Sequence, residues 1–164
     1  MLLRDLTTQD LAQVVVLNDD AHPAVPITTM DEMAGLLWVS AFAIAAVDRA
    51  DESTVRGFVI GMRPGADYPS ENFRFFEVRG TDFLYVDRIV VSEAARGSGI
   101  GRTLYEAVFA LARTEGRAEV TCEVNVIPPN PESLAFHGRL GFEPVGEQDT
   151  KGGSVRVALL AARV

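Results

Sequence analysis

Arg96-Gly97-Ser98-Gly99-Ile100-Gly101 sits between a β-branched run, Phe83 to Val91, and a stretch of helical period, Gly101 to Glu115. Three glycines in five residues let the backbone turn tightly and approach a ligand with no Cβ in the way. A helix starting here points unpaired N–H groups and the positive end of its dipole outward, which suits a diphosphate. The same residues also make an ordinary glycine-rich connector, and glycine content alone leaves both readings open. Two other nucleotide motifs do not fit. A P-loop needs Gly-Lys followed by Ser or Thr, and no lysine lies near this turn. A dinucleotide fingerprint needs a glycine three places after its second, whereas Gly99 is followed by Ile100, Gly101 and Arg102.

Outward from the turn, Leu104, Val108 and Leu111 form one apolar stripe with Ala107 beside it, and Gly116 supplies the helix stop. Ala118 to Val126 alternates as a strand, with Val120, Cys122, Val124 and Val126 on one side and Thr121, Glu123 and Asn125 on the other. Pro128-Pro129 ends that strand, and Asn130 caps a short helix with Pro131 at its first position. Leu140-Gly141-Phe142 closes the helix and enters a strand, and Ser154 to Ala161 reads as the last one.

Toward the N-terminus, Thr7-Thr8-Gln9-Asp10 opens a helix through Leu11, Val14, Val15 and Asn18, which Ala21 to Pro26 breaks. Thr28 or Thr29 caps a second helix, with Asp31 and Glu32 in its first turn. Phe42 to Val47 and Val55 to Gly61 read as strands joined by the polar turn Asp48 to Thr54. Arg63 to Asp82 is rich in turn residues and reads as a long loop lining a site. With no repeat, low-complexity tract or linker, the order predicts one mixed α/β (α+β) domain over residues 1–164, with a single βαβ crossover in its middle.

The 164 residues suffice for one substantial core. A net charge of −8 argues against a nucleic-acid partner, because phosphate backbones are held by surplus Lys and Arg. Arg88, Arg96 and Arg102 nevertheless cluster around the turn, where an anion is favoured. No apolar run reaches membrane-spanning length, and Leu36 to Val47 is too short. The N-terminus lacks the pattern of a signal peptide, and the lone Cys122 fits a reducing compartment, so the expectation is a cytoplasmic protein with no membrane partner.

The pattern Arg-x-x-Gly-x-Gly over Arg96 to Gly101 resembles the cofactor-binding signature of GNAT-superfamily N-acetyltransferases. Val86-Asp87-Arg88-Ile89-Val90-Val91 is similar to that family's fourth strand. The continuous stretch from Asn130 through Ser133, Ala135, Phe136 and His137 to Gly141-Phe142 resembles its Asn-x-x-Ala-x-x-x-Tyr-x-x-x-Gly-Phe segment. The likeness covers roughly residues 83 to 145. It implies a mostly antiparallel six- to seven-stranded sheet with helices on both faces, splayed to admit a pantetheine arm. It also implies an acyltransferase moving acetyl from acetyl-CoA to a primary amine of a small molecule or of a peptide or protein N-terminus. A non-catalytic acyl-CoA-binding or sensing domain is the alternative.

On that resemblance Arg96, Gly97, Ser98, Gly99, Ile100, Gly101 and Arg102 would hold the coenzyme A diphosphate. Ile89, Val90 and Val91 would meet the pantetheine arm, with a backbone N–H near Val90 or Val91 as oxyanion donor. Asn130 and Ser133 would complete the cofactor contacts, although Asn130 also reads as a plain helix cap.

Acetyl transfer to an amine requires a base for the nucleophile and a proton for the departing thiolate. Glu123, mid-strand beside Asn125, falls where N-terminal acetyltransferases of the family carry a Glu-Val pair, though it stands seven positions before Asn130 where about five are expected. It reads either as that base or as a solvated or cross-strand-paired glutamate. Asp87 is the second base candidate, with a paired structural carboxylate as its other reading. His137 stands where the family has tyrosine, and is either the general acid or a helix histidine bonded to a carbonyl. Cys122 reads as core.

Two histidines without ligand-spaced partners make no metal site, and the absence of Gly-x-Ser-x-Gly argues against a serine hydrolase through Ser133 and His137. Trp38 reads as core or as an acceptor wall. Phe73, Phe75 and Phe76 are unusually aromatic for a loop and read as a lid or a homodimer contact, with Phe76 and Asn125 joining Trp38 as acceptor-binding candidates.

Overall fold

The structure, a computed structural model, describes residues 1–80 and 82–164. Thr81, near the end of the stretch expected to be a loop, lies outside the described residues. The strands are β1 (Leu2–Asp5), β2 (Phe42–Val47), β3 (Val55–Met62), β4 (Phe83–Val91), β5 (Glu119–Ile127), β6 (Glu143–Thr150) and β7 (Val155–Arg163). They form a seven-stranded sheet in the order β1-β2-β3-β4-β5-β7-β6. The helices among the described residues are α1 (Leu11–Asp20), α2 (Met30–Val39), α3 (Glu71–Arg79), α4 (Ile100–Glu115) and α5 (Pro131–Arg139). β1 with β2, β2 with β3, β5 with β7 and β6 with β7 pair antiparallel, whereas β4 and β5 make the parallel pair that the βαβ crossover through α4 demands. The mixed α/β class and the strand count therefore agree with the sequence reading.

The chain divides into two compact units. The first comprises residues 1–62 and 88–107. Here β1, β2 and β3 form an antiparallel meander, with Ala45, Val47 and Val55 in its core against Leu6 and Leu17. Leu2–Asp5 had no strand signal of its own: it is four residues long and pairs with β2 alone. Asp10 stands at the start of α1, is buried, and accepts from both guanidinium nitrogens of Arg4 at 2.8 Å and from the Thr7 N–H at 2.8 Å. Thr29 and Glu32 cap α2 reciprocally, Glu32 accepting from the Thr29 N–H at 2.7 Å. Asn18 is fully buried and satisfied, donating to Pro26 O at 2.8 Å and accepting from Arg88 at 2.7 Å.

The second unit comprises residues 63–87 and 108–164. The expected long loop is interrupted by α3, whose N-terminus is capped by Ser70 and whose C-terminus is closed by Gly80 at φ 74°. Phe73 and Phe76 project from this helix into an aromatic cluster with Phe83 and Tyr85, ring centroids 5.4 to 6.0 Å apart. Both are 1% exposed, so they are core rather than a lid or a dimer contact. Phe75 lies against Phe76, its Cζ 2.8 Å from where a side chain on Gly146 of β6 would begin. Arg79 pairs with Glu119, and Arg117 links Glu115 to Asp82.

Candidate active site

The glycine turn lies in the first unit. Gly97 and Gly99 adopt φ of 78° and 88°, dihedrals that L side chains resist, while the space beside each is open. Torsion, and not crowding, therefore demands glycine there. Ser98 folds back on Ala95 O through its N–H at 3.3 Å and its hydroxyl at 2.5 Å. The first α4 bond runs from Thr103 N to Gly99 O at 3.0 Å, so the N–H groups of the preceding residues have no acceptor inside the helix. Ile100, one residue earlier than the expected helix start, is 6% exposed, whereas Arg96, Ser98 and Arg102 are exposed.

Gly57 of β3 brings these parts together. A Cβ there would lie 2.8 Å from Val90 O, 3.1 Å from Ile100 Cγ2 and 3.3 Å from Val91 Cα. The end of β4 and the first residue of α4 thus pack on one glycine. Ser92 N donates to Arg56 O at 2.8 Å, and the Ser92 hydroxyl is buried with no partner among the described residues. Open backbone, helix N–H groups and exposed arginines fit a diphosphate.

The carboxylates lie in the second unit. Tyr85, fully buried, donates from Oη to Glu123 Oε2 at 2.7 Å, and Tyr68 donates from Oη to Asp87 Oδ1 at 2.6 Å. Glu123 is pushed up to about 8, first by desolvation and then by the negative charge of Asp87. Hydrogen bonds from Tyr85 and Asn72 pull the other way. Burial beside these carboxylates also raises the Tyr85 phenol well above its ordinary value. Glu123 is therefore a half-buried carboxylate bonded to a neutral phenol and, among the described residues, matched to no cation. On the same side of β5, Thr121 is fully buried, with its hydroxyl 3.4 Å from Leu84 O.

Asn130 caps α5 as expected, its side chain accepting from Ser133 N at 3.2 Å. His137 does not have the environment of a general acid. It is 3% exposed, its Nδ1 lies 2.7 Å from Ser133 O, and its ring stacks edge-on against Phe136 and Phe142. Burial lowers its proton affinity, which favours neutral imidazole at pH 7. Cys122 is buried, and Asn125 is half-buried on β5, its carbonyl accepting from Asn130 N at 3.2 Å. Trp38 is 87% exposed on the last turn of α2, which excludes the core reading. Phe76, by contrast, has no surface to offer an acceptor.

Among the described residues no cluster of His, Cys, Asp and Glu is arranged to hold a metal, and no helix is long and apolar enough to cross a membrane. Sequence reasoning missed Tyr68, Asn72 and Gln148, the last donating to Asn72 Oδ1 at 2.6 Å. Only the unusual content of residues 63–82 hinted at the first two.

The sequence profile described as the acetyltransferase (GNAT) family matches residues 16–142. No curated protein matches the chain. Among solved structures, Ard1 from Thermoplasma volcanium aligns with a TM-score of 0.78 at 18% identity, over 99% of this chain and 97% of that one. The ribosomal-protein-S18-alanine N-acetyltransferase from Escherichia coli aligns at 0.74 and 17%, over 99% and 93%. NAA60 from Arabidopsis thaliana, solved with a bisubstrate analogue, aligns at 0.78 and 18%, over 99% and 97%. At these identities the structural likeness shows the fold alone.

Proposed function

The chain belongs to the acetyltransferase (GNAT) family, and from that premise we propose that it moves acetyl from acetyl-CoA directly to a primary amine, of a small molecule or of a peptide or protein N-terminus. The observation that carries the cofactor assignment is the turn Arg96–Gly101, with two left-handed glycines opening a sixteen-residue helix. Its backbone N–H groups, with Arg96 and Arg102, hold the diphosphate, and Ile89 to Val91 hold the pantetheine arm. Acetyl-CoA supplies the acetyl group as a thioester. The neighbour named for an S18-alanine acceptor supports a peptide or protein N-terminus as the amine.

Glu123 is the base. It takes the proton that the amine nitrogen loses as the N–C bond forms and the C–S bond breaks, and it passes that proton to solvent. A value near 8 brings its proton affinity close to that of a peptide α-amine, about 7.7 to 8.0, so the transfer is nearly balanced. Asp87 keeps Glu123 basic by its charge. With His137 neutral and buried, the thiolate takes its proton from water, which a thiol of pKa about 8.5 permits near neutral pH. Trp38 forms an exposed wall for the acceptor, and Asn130 and Ser133 meet the cofactor from the start of α5.

Calorimetric titration with acetyl-CoA tests the first half. Micromolar binding by the wild type that Gly99→Glu abolishes supports the assignment, and no binding by the wild type overturns it. Thiol release across a panel of amines and peptides tests the second half. Acceptor-dependent release that Glu123→Gln lowers by about 10²-fold or more supports the base. Tight binding with no turnover on any acceptor instead indicates a sensing domain.

A further inference from the structure

We propose that Lys151, in the turn joining β6 to β7, is itself an acceptor: a second copy of this chain acetylates its ε-amine. This rests on the proposed transfer of acetyl to primary amines. Of the fifteen Lys and Arg residues in the sequence, fourteen are arginines and one is lysine. A guanidinium stays protonated and delocalised, so it does not attack a thioester, whereas a lysine amine does once it has lost a proton. Lys151 is thus the one side-chain amine of this protein that its own proposed chemistry can modify. The turn uses the backbone of Lys151 and leaves its side chain idle. Its carbonyl accepts from the Ser154 N–H at 3.4 Å and from the Ser154 hydroxyl at 2.9 Å. Its φ of 50° lies in the left-handed region that glycine enters more readily, and Gly152 and Gly153 follow at 67° and 89°. A glycine at this position would close the same turn, so folding gives no reason for a lysine. The side chain is exposed, and among the described residues its ammonium has no hydrogen-bond or ion-pair partner. Nothing lies within 4 Å of where a side chain on Gly152 or Gly153 would begin, so the turn is uncrowded.

Transfer within one copy is out of reach. Glu123 of β5 stands opposite Leu159 of β7, and Lys151 lies just beyond the Thr150–Val155 pair that ends the β6–β7 ladder. Four residues of strand separate Leu159 from Val155, about 13 Å. The four-carbon stem of a lysine does not span that distance, so the base belongs to another copy. In the transfer, the Lys151 ammonium first gives a proton to solvent, and the neutral Nζ attacks the thioester carbonyl carbon. The N–C bond forms and the C–S bond breaks. Glu123 of the second copy takes the further proton that the nitrogen loses and passes it to solvent, while the departing thiolate takes its proton from water. The product is a neutral amide at position 151, which removes the lysine charge from a chain whose net charge is already −8.

The test mixes wild type with a ¹⁵N-labelled Gly99→Glu/Glu123→Gln chain, which is inactive if either the cofactor turn or the base is rightly assigned. Acetyl-CoA is added, and mass spectrometry reads acetyl on the labelled Lys151 peptide. The labelled chain should gain acetyl there about 10²-fold faster with wild type present than alone, the usual worth of a general base. A labelled acceptor that also carries Lys151→Arg, which keeps the charge, should gain none at that position. Lys151→Arg in the wild-type chain should turn over the amine panel unchanged. A labelled Lys151 that stays unmodified, or that gains acetyl no faster with wild type than alone, overturns the proposal. So does acetyl confined to Lys151 of the wild-type copy. The same wild-type preparation is assayed on the amine panel. Turnover there with Lys151 unmodified sinks this inference and leaves acetyl transfer standing, whereas no turnover on any amine, Lys151 included, sinks both.

Discussion

The Tyr85 hydroxyl, with its residue fully buried, donates to Glu123 Oε2 at 2.7 Å across 38 positions of sequence. Tyr85 also belongs to the aromatic cluster formed with Phe73 and Phe76. One side chain therefore ties the core of the second unit to the carboxylate proposed as the base.

Tyr85→Phe keeps the ring and removes the donor. The hydrogen bond favours ionised Glu123, so its loss raises the carboxyl further. The acidic limb of the pH–rate profile should then move up by about half a unit or more. Comparing variant and wild type on the same acceptor cancels the titration of the amine. A limb that stays in place with a lowered plateau would point to a packing role instead.

Glu123 also sets how stability responds to pH. Its folded value near 8 lies above the ordinary carboxylate value of 4.5, so between those limits the folded chain binds the extra proton. Stability conferred by that proton is complete below about 4.5 and is lost as pH rises toward 8. Glu123→Gln should therefore be more stable than wild type above neutrality, by ~2 kcal/mol, and nearly equal at pH 4.5. Urea titrations at the two pH values measure this. An equal difference at both would mean that the carboxylate is ionised at no cost.

How much of this was legible depended on the range of the signal. The turn at residues 96–101, the cap at Asn130 and the stop at Gly116 are local, set by glycine dihedrals and side-chain oxygens within a few residues. The α3 helix was hidden because Pro69, Gly65 and Gly80 punctuate its surroundings and its nine residues are too few for a clear period. Its Ser70 cap and the i, i+3 pair Phe73 and Phe76 were the usable signs. The contacts of Glu123 had no sequence signature at all. Tyr85 of β4 reaches it only once the strands pack, and so the same glutamate read equally well as solvated.

His137 offers a contrasting case. A neutral imidazole bonded to Ser133 O is a structural group, so His137→Asn should cost stability, about 1 to 3 kcal/mol, while kcat changes by less than about threefold in the folded fraction. Because burial lowers its proton affinity below the ordinary 6.5, the wild type should lose stability as pH falls below that value. A drop in kcat of about 10²-fold in well-folded variant protein would instead restore it as the acid.

Asp10 carries the opposite pH sign. Its carboxyl is held near 2 mainly by the Arg4 guanidinium, with further help from the Thr7 N–H and hydroxyl. That stabilisation is complete above 3.8 and vanishes as pH falls through about 2. Asp10→Asn should cost about 2 kcal/mol at pH 7 and much less at pH 2, read by denaturant titration. Its partners, Arg4 and Thr7, are none of the residues proposed to hold acetyl-CoA or the amine, so the fully folded variant should keep its turnover.

Gly57→Ala tests whether the cofactor turn depends on a close approach beneath it. The added methyl would sit 2.8 Å from Val90 O and 3.3 Å from Val91 Cα, both backbone atoms, and 3.1 Å from Ile100 Cγ2. A flexible side chain can swing away, but a strand backbone must shift as a whole, at a cost of about 1 to 3 kcal/mol. The same shift displaces the end of β4 and the first residue of α4, the two segments proposed to hold pantetheine and diphosphate. Thermal unfolding should therefore fall by several degrees, and acetyl-CoA affinity should weaken several-fold beyond any loss of folded protein. Gly138→Ala on α5 is the control: nothing lies within 4 Å of its added carbon, and alanine is the better helix former. It should raise the melting temperature slightly and leave binding unchanged. If Gly57→Ala loses stability but binds acetyl-CoA as the wild type does, the turn is held by its own glycines and not by the packing on β3.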